Sequence, residues 1–451
     1  MPPPPVSPSE PGTEPSGPRP VRLGLLGCGT VGGSLVRLIA ERGDEVAART
    51  GVRLEVTRVA VRDPARDRDL PLDPSVFTDD PATVVTAADV DLVVEVVGGT
   101  DPTLGLITAA LEAGRPVVSA NKELLAAHGA ELFELADRCG VDLLFEAAVA
   151  GGIPLVRPLR ESLVGEDVLR VIGIINGTTN YILTKMTEEG SSYDEALAEA
   201  QALGYAEADP TADVEGFDAG SKAAIIATIA FGVGVAADDV HHEGISRISA
   251  EDIATAGRLG YQLKLLAVAE RFDDGSVAVR VHPAMVPDSH PLAAVRDSFN
   301  AVFVDGAAVG DLMFYGRGAG GMPTGSAVLG DVIDAAVNLV KGTHASLGSF
   351  GPAAFRPQSE LSSAFYLAVE VLDRPGVLAN VAGVFGAHGV SIRSMEQLGS
   401  ADSAGDGEPT ARLVFITHVA READVLATLD EFRGLDEVRS VDSVLRVLGA
   451  G

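Results

Sequence analysis

An aspartate and a lysine four residues apart are the pair in this sequence best suited to proton chemistry. They are Asp218 and Lys222, in the stretch ADVEGFDAGSKAAI. The chain has five lysines among its 34 lysine and arginine residues, so a lysine is uncommon here. Residues four apart share one face of a helix. A desolvated lysine can release its proton, whereas an arginine cannot. Hydride transfer to a carbonyl needs such a group to protonate the oxygen.

The neighbourhood of this pair favours a catalytic role over a surface ion pair. The apolar run at 223–235 predicts a largely buried helix directly after Lys222. Acidic residues are concentrated just upstream, at Glu207, Asp209, Asp213 and Glu215. Such a cluster would attract a positively charged substrate group. The alternative, an exposed i,i+4 ion pair, is the ordinary interpretation of an isolated Asp-x-x-x-Lys.

A glycine loop near the start of the chain predicts a dinucleotide site. GCGTVG places Gly27, Gly29 and Gly32 in the pattern G-x-G-x-x-G, directly after an apolar strand and at the start of a helix. These glycines permit a tight turn, close approach of a pyrophosphate, and close helix–strand packing. Thr30 and Val31 open the helix, whose free N–H groups attract phosphate.

The choice between NADP and NAD depends on the end of the second strand. An arginine there accommodates the 2′-phosphate of NADP, and a carboxylate binds the ribose hydroxyls of NAD. The sequence offers Arg62 and then Asp63, with Arg66 and Arg68 close by. We therefore favour NADP, with NAD as the alternative. Thr100, after the apolar strand around 92–97, is a further cofactor-binding candidate.

Alternating strand-like and helical stretches predict an α/β protein of three domains. The first is a doubly wound parallel-sheet dinucleotide-binding (Rossmann) domain, the second is an α+β substrate-binding and oligomerisation domain, and the third has the order βαββαβ of a ferredoxin-like fold. The predicted segments are a disordered Pro-rich tail (1–20), the first domain (21–150, completed by 319–341), the second (151–318), a linker (342–362) and the third (363–448).

Three longer helical segments are predicted in the second domain. They span 181–204, 218–236 and 250–258. The segment NGTTN precedes the first of these and reads as a helix start with Thr178, Thr179 and Asn180 as good capping residues. We assign this segment a positioning role.

Composition excludes several classes of partner. The formal net charge of −30 argues against nucleic acid and anionic membranes. Two cysteines without metal-ligand spacing suit a reducing compartment, and no apolar run approaches the twenty residues of a membrane span. We expect a cytoplasmic protein.

Six motifs, taken in order, resemble the homoserine dehydrogenase family over residues 21–340. A terminal stretch, LDRPGVLANVAGVFGAHGVSI at 372–392, resembles an ACT domain, a small module that commonly binds amino acids. The six motifs are GCGTVG (27–32), SANKELL (119–125), FEAAVAGGIP (145–154), INGTTNYIL (175–183), GYAEADPTADVEGFDAGSK (204–222) and GRGAGG (316–321).

The resemblance implies reversible reduction of L-aspartate 4-semialdehyde to L-homoserine with NADPH or NADH, in threonine, methionine and isoleucine biosynthesis. Lys222 matches the family's general acid, and Asp218 would hold the substrate and orient Lys222. Glu207 matches the residue that binds the substrate amino group, with Asp213 as a second carboxylate. Lys122 matches a lysine near the nicotinamide that assists proton movement.

The family pattern also implies backbone contacts to the cofactor and a structural cation. Gly204 and Gly320 match the cofactor contacts. The cation is monovalent, usually sodium, and is held by backbone carbonyls together with one carboxylate. The matching residues are Glu146, Val149, Gly151 and Ile153.

An ACT domain implies regulation by an amino acid, for which threonine is the expected effector. ACT ligands bind near the loop after the first strand, here 373–378 and Asn380. ACT modules usually pair, so we expect a homodimer or homotetramer.

Two other functions fit parts of the pattern. One is a different amino-acid dehydrogenase, such as one that acts on aspartate, against which the set around Lys222 argues. The other is a catalytically silent amino-acid sensor, which would need a broken glycine loop or a lost lysine; the sequence shows neither.

Overall fold

The computed structural model describes residues 17–346, 348, 350–399 and 408–449. Most of the predicted tail, residues 1–16, lies outside this part, and the first strand begins at Arg19, inside the predicted tail. The chain forms two compact units. Unit 1 comprises Met1–Leu124, Glu131–Ala147 and Gly320–Gly348, and unit 2 comprises Leu125–Ala130, Ala148–Ala319 and Ser349–Gly451.

The described residues form helices of very different length. They are α1 (Thr30–Thr50), α2 (Pro81–Thr86), α3 (Thr103–Glu112), α4 (Lys122–Cys139), α5 (Gly177–Glu189), α6 (Tyr193–Ala202), α7 (Thr211–Val214), α8 (Phe217–Phe231), α9 (Ala250–Arg258), α10 (Gly321–Lys341), α11 (Val377–Ala387) and α12 (Glu422–Phe432).

The strands belong mainly to two large sheets. They are β1 (Arg19–Leu26), β2 (Val52–Ala60), β3 (Phe77–Thr78), β4 (Leu92–Glu95), β5 (Val117–Ser119), β6 (Leu143–Leu144), β7 (Val168–Ile174), β8 (Val233–Gly234), β9 (His241–His242), β10 (Tyr261–Arg271), β11 (Val277–Pro287), β12 (Phe299–Gly306), β13 (Gly310–Arg317), β14 (Gly351–Pro352), β15 (Ser362–Leu372), β16 (Ile392–Gly399), β17 (Thr410–Thr417), β18 (Ala420–Arg421) and β19 (Val438–Val447).

Unit 1 is built on a parallel sheet with the order β3-β2-β1-β4-β5-β6. Strand β4 is buried along its whole length, as expected for a parallel strand covered on both faces. Helix α10 packs closely on α1. A Cβ atom on Gly325 would lie 2.9 Å from the Ser34 Cβ, so a glycine is needed at this contact. This order is that of a Rossmann fold, so the predicted fold of the first domain is confirmed.

Unit 2 contains a mixed sheet whose main path is β13-β12-β7-β10-β11-β19-β15-β17-β16. Strands β7, β10, β11 and β12 are antiparallel to their neighbours among these four. Helices α5 and α8 contact this part of the sheet through β10. The sheet therefore supports the two helices that begin with the INGTTN and GFDAGSK motifs.

Of the three helical segments predicted in this region, α9 (Ala250–Arg258) has the predicted limits and the other two do not. The segment 181–204 contains two helices, α5 and α6, because Gly190 adopts a left-handed conformation (φ 69°) and Ser192 forms a capping box with Glu195. Helix α8 ends at Phe231 and not at 236, since Gly232 terminates it in the left-handed region (φ 66°).

The last segment of unit 2 has the predicted order βαββαβ, in the elements β15, α11, β16, β17, α12 and β19, with the short strand β18 before α12. Its four long strands pair antiparallel. The ferredoxin-like prediction is confirmed. Strand β19 also pairs in parallel with β11, with Ala284 opposite Arg446, so this segment continues the substrate-domain sheet. Among the described residues, no helix is long and apolar enough to cross a membrane.

Candidate functional site

The glycine loop of unit 1 has the geometry that its sequence predicts. Gly27 has a φ of 99°, and a Cβ atom there would lie 2.9 Å from the Val96 carbonyl oxygen. A Cβ on Gly32 would lie 2.5 Å from the Gly27 carbonyl oxygen, so this position packs the helix on the turn. A Cβ on Gly29 would have no atom within 4 Å, which leaves open space before the first turn of α1. That space is where a pyrophosphate would approach the helix N-terminus.

The loop opens into a cleft of about 980 Å³ at the carboxyl ends of β1, β2 and β4. Ligands of open parallel sheets bind at such a point, where the strand order reverses. Gly27, Gly29, Thr30 and Arg62 line the cleft, whereas Val31, Gly32 and Thr100 are not part of its lining.

The lining of this cleft contains four arginines and three aspartates, the latter at 63, 67 and 69. Arg62, Arg66 and Arg68 follow β2, and Arg37 reaches the cleft from α1. Arg68 donates to the carbonyl oxygens of Arg66 and Asp63, at 2.6 and 2.7 Å, which fixes this loop. Arg37 was not predicted. The sequence could have indicated it, because the spacing of Thr30, Gly33 and Arg37 places these three residues on one face of the helix.

A buried carboxylate organises the loops after β4 and β5. Glu95 is fully buried, and its Oε1 accepts hydrogen bonds from the N–H groups of Val97 and Gly98, both at 2.9 Å. Its Oε2 accepts from Ser119 at 2.7 Å. Asn121 then caps α4 and donates to the Gly99 carbonyl oxygen at 2.7 Å. This network fixes the backbone beside Thr100 and the start of α4 at Lys122.

In unit 2 the structure joins Asp218 and Lys222 directly. Both lie in the first two turns of α8, and the Lys222 Nζ donates to Asp218 Oδ2 at 2.7 Å. The same Nζ donates to the Ile175 carbonyl oxygen at 2.9 Å. The Lys222 side chain is 14% exposed and that of Asp218 is 11% exposed. The pair is therefore largely desolvated but still accessible to a substrate. This differs from the exposed ion pair that the spacing alone also allows.

Asn176 links this pair to a second carboxylate. Its Nδ2 donates to Asp218 Oδ2 at 2.9 Å and to Asp213 Oδ1 at 2.7 Å. Its Oδ1 accepts from the Thr179 N–H at 2.9 Å, which makes Asn176 the cap of α5. The prediction of Thr178, Thr179 and Asn180 as capping residues was therefore wrong, because all three lie inside the helix.

Burial and hydrogen bonding act in opposite directions on Asp213. Burial raises the pKa of its carboxyl above the usual value, and the neighbouring Asp218 raises it further, while the hydrogen bond from Asn176 lowers it. The net direction is upward. The structure thus groups Asp213, Asn176, Asp218 and Lys222, of which sequence reasoning named all except Asn176.

Glu207 and Gly204 lie in the segment between α6 and α7. Glu207 is exposed, and its carbonyl oxygen accepts from Gln201 at 3.0 Å. Among the described residues, Glu207 forms no hydrogen bond with Asp213, Asn176, Asp218 or Lys222. Gly204 is exposed with a φ of 78°. In unit 1, Gly320 caps α10 with a φ of 126°.

The residues predicted to bind a cation are divided between the two units. Glu146 belongs to unit 1, where its N–H donates to Asp331 Oδ2 at 2.7 Å. Val149, Gly151 and Ile153 belong to a turn of unit 2. Ala150 has a φ of 56° in this turn, an uncommon conformation for a residue other than glycine. No group of three His, Cys, Asp or Glu side chains within the described ranges could hold a metal ion.

The loop predicted to bind an effector connects β15 to α11. Gly376 caps α11 in the left-handed region, with a φ of 94° and no side-chain cap. Asp373 accepts from Gln397 at 3.3 Å, and Asn380 donates to Glu437 at 3.2 Å.

Together, the Rossmann cleft, the Asp–Lys pair and the ferredoxin-like segment define a class: dinucleotide-dependent oxidoreductases with a C-terminal ferredoxin-like domain. Comparison with known families specifies it further. Residues 27–146 match the model "Homoserine dehydrogenase, NAD binding domain", residues 154–333 match "Homoserine dehydrogenase", and residues 365–437 match "ACT domain". The chain belongs to the homoserine dehydrogenase family.

Two curated relatives and one solved structure match nearly the whole chain, and a second solved structure matches 71% of it. The homoserine dehydrogenase of Corynebacterium glutamicum is 48% identical over 95% of each chain, and that of Mycobacterium tuberculosis H37Rv is 48% identical over 96% of this chain and 99% of its own. The crystal structure of a homoserine dehydrogenase from Thiobacillus denitrificans has a TM-score of 0.88 at 37% identity, covering 96% of this chain and 99% of its own. A hyperthermophilic archaeal homoserine dehydrogenase, solved in complex with NADPH, has a TM-score of 0.61 at 29% identity, covering 71% and 98%.

Proposed function

We propose that this protein catalyses the reversible reduction of L-aspartate 4-semialdehyde to L-homoserine, in the biosynthesis of threonine, methionine and isoleucine. The observation that carries the proposal is the largely desolvated Asp218–Lys222 pair, held by Asn176, in a chain of the homoserine dehydrogenase family.

The cleft of unit 1 fits a nicotinamide dinucleotide. Gly27 and Gly29 leave room for the pyrophosphate at the start of α1, and Arg37, Arg62 and Arg66 supply positive charge where a 2′-phosphate would lie. We therefore favour NADP over NAD. When bound, the reduced cofactor supplies the hydride for the aldehyde carbon.

Lys222 is the proposed general acid. As negative charge develops on the aldehyde oxygen, the Lys222 ammonium donates a proton to it, and in the reverse direction the amine accepts this proton. Asp218 and the Ile175 carbonyl hold the Nζ in place by hydrogen bonds of 2.7 and 2.9 Å. Lys122 is proposed to assist proton movement.

Carboxylates explain the choice of an amino-acid substrate. Asp213 and Glu207 would bind the substrate ammonium group, and Asp218 would contact the substrate while it orients Lys222. Asp213 is preorganised for this by its 2.7 Å hydrogen bond to Asn176.

The turn at 149–153 fits a monovalent cation, proposed to be sodium. Ala150 and Gly151 have left-handed backbone conformations in this turn (φ 56° and 57°), and the Gly318 carbonyl oxygen leaves no room for a Cβ atom on Gly151. Strained backbone of this kind is typical of ligand sites. The carbonyl oxygens of Val149, Gly151 and Ile153 would hold the ion.

The ACT domain is proposed to transmit inhibition by threonine to the catalytic helix. Arg446, on β19, is 5% exposed; it donates to Glu243 at 2.9 Å and pairs with the buried Glu422. Glu243 follows His242, which packs on Gly220 of α8. A homodimer or homotetramer fits the exposed apolar residues Leu378 and Met395 of this domain.

The test is an assay at 340 nm with the purified protein, L-homoserine and either NADP or NAD, with and without threonine. We expect homoserine-dependent reduction that is faster with NADP and slowed by threonine. Folded protein that binds NADP but reduces neither cofactor would contradict the proposal and favour the sensor or another amino-acid dehydrogenase. Activity unchanged by millimolar threonine would contradict the effector assignment alone.

A further inference from the structure

A cavity of about 260 Å³ lies where the substrate-domain sheet meets the ACT strands, within unit 2. Its apolar lining includes Ile172, Leu266, Val268 and Ala284, from β7, β10 and β11. The start of β15 and the end of β19 provide further lining residues. The volume is slightly below the range of about 300–1,000 Å³ typical of drug-sized ligands, so it suits a small metabolite.

Charged groups lie beside this apolar surface. Arg280 pairs across the strands with Val268, and His282 with Leu266, so both line the same face of the sheet. Glu270 completes the polar part, opposite Arg170 on β7. Arg446, opposite Ala284, also lines the cavity, so charged and apolar side chains lie side by side along it.

Arg280 has hydrogen-bonding capacity that the protein does not use. It is 6% exposed, and its Nη2 donates to Glu270 at 2.9 Å. Its Nε and Nη1 atoms are buried and have no hydrogen-bond partner among the described residues. Buried donors of a charged group normally have partners, since an unpaired one is costly. The guanidinium therefore keeps N–H donors from which a carboxylate can accept a charge-assisted hydrogen bond.

His282 offers the complementary group, an unused acceptor. It is 3% exposed, and its Nδ1 lies 3.1 Å from the Pro283 carbonyl oxygen. A carbonyl oxygen only accepts, so Nδ1 carries the hydrogen and Nε2 of the neutral ring is an acceptor. Burial and the adjacent arginines Arg446 and Arg280 hold the pKa of His282 well below its usual value, which keeps the ring neutral. Its Nε2 is buried and has no partner in the described part of the chain.

We propose that this cavity binds a small α-amino acid with an apolar side chain. Its carboxylate would accept from Arg280, its ammonium group would donate to His282 and Glu270, and its side chain would contact Ile172, Leu266 and Val268. An oxo acid of the same shape would satisfy Arg280 but leave the His282 Nε2 unpaired. The site is separate from the loop at 373–378 and Asn380, because none of those residues lines the cavity.

The test is isothermal titration of the full chain with L-alanine, L-valine and L-leucine, and with the 2-oxo acid that corresponds to valine. We expect saturable binding of valine or leucine that is tighter than binding of the oxo acid. In Arg280→Met the amino-acid affinity should fall at least about tenfold, as expected for loss of a hydrogen bond to a charged group. His282→Phe should lower the affinity for the amino acid and leave the affinity for the oxo acid unchanged.

Two further variants separate this site from loss of folding and from the ACT loop. Ala284→Leu retains every charge and fills part of the cavity volume, so it should also weaken binding at least about tenfold. Asn380→Ala alters the predicted effector loop and should leave this affinity unchanged. NADP affinity and the melting temperature report folding of each variant. The proposal is overturned if the wild type binds no amino acid up to roughly 10 mM. It is equally overturned if folded Arg280→Met and Ala284→Leu bind normally, or if Asn380→Ala abolishes binding.

Discussion

Two lysines of unit 2 lie beside the same helix, α5, and are held in different ways. Lys222 donates to the carboxylate of Asp218 and to the Ile175 carbonyl oxygen. Lys264 donates to the amide oxygen of Asn180, at 3.1 Å, and to the Val295 carbonyl oxygen, at 2.5 Å. Asn180 belongs to α5 and Asn176 caps it, so one helix start contributes to both environments.

The difference shows how burial and partners separate a reactive lysine from a structural one. Lys264 is 4% exposed, and its two hydrogen bonds go to neutral groups. Burial, aided by Arg296 and opposed by Glu188 and Asp297, lowers its pKa from the usual 10.5 to about 8. Lys222 has a carboxylate partner and keeps part of its side chain at the surface. A proton donor needs that access, whereas Lys264 serves to fix the segment that follows Pro291–Ala294.

The largest effect is expected from removing the reactive lysine. Lys222→Ala should lower kcat of homoserine oxidation by about 10²–10⁴-fold, the usual contribution of a general acid or base. Lys264→Met should retain kcat, because the Lys264 Nζ donates to Asn180 and Val295, and neither has a proposed catalytic role. Steady-state kinetics of both variants make the comparison, and unchanged NADP affinity is the control for folding. Normal turnover in folded Lys222→Ala would refute the assignment.

The sequence predicted one side of this comparison better than the other. Asp218 and Lys222 are four residues apart, so a single helix is enough to bring them into contact, as it does in α8. Lys264 also stands in an apolar stretch, LKLLAVA, and nothing local distinguishes it. Its environment is formed by Asn180 and Val295, 84 and 31 residues away. Contacts of that range depend on sheet order, which a single sequence does not specify.

The same limit applies to Asn176 and not to the glycine loop. Gly27, Gly29 and Gly32 encode their turn within six residues, and the structure has it. Asn176 bonds Asp213 and Asp218 across 37 and 42 residues, so its role could not be inferred from spacing. The break between α5 and α6 was readable, since Gly190 and the S-x-x-E pattern at Ser192 are local signals.

A smaller effect is expected in the pH dependence of stability. A lysine whose pKa is about 8 when folded and 10.5 when unfolded binds fewer protons in the folded state between these values. Stability therefore rises with pH across this window, and below it the buried charge costs roughly 3 kcal/mol. Lys264→Met removes this dependence. The melting temperature of the wild type, relative to that of Lys264→Met, should rise by a few degrees from pH 8 to pH 10. A constant difference would show that Lys264 is not deprotonated in this range.

The smallest effect is expected from replacing Asn176, whose side-chain amide donates to both Asp213 and Asp218. Asn176→Ser retains an N-cap for α5 but loses the two donors that Asp213 and Asp218 accept from. We expect kcat/KM to fall about tenfold, in line with the loss of hydrogen bonds to charged groups. Because the Asn176 hydrogen bond lowers the pKa of Asp213, the acidic limb of the kcat/KM profile should move to higher pH in the variant.

The matched control is Asn180→Ser, on the Lys264 side of the same helix. Asn180 donates to the carbonyl oxygens of Val295, Asp297 and Phe299 and accepts from Lys264. This variant should lower the melting temperature and leave the acidic limb in place. If both variants lowered the melting temperature equally and neither moved the pH profile, Asn176 would be a cap and nothing more. The preorganisation of Asp213 and Asp218 would then have to come from another residue.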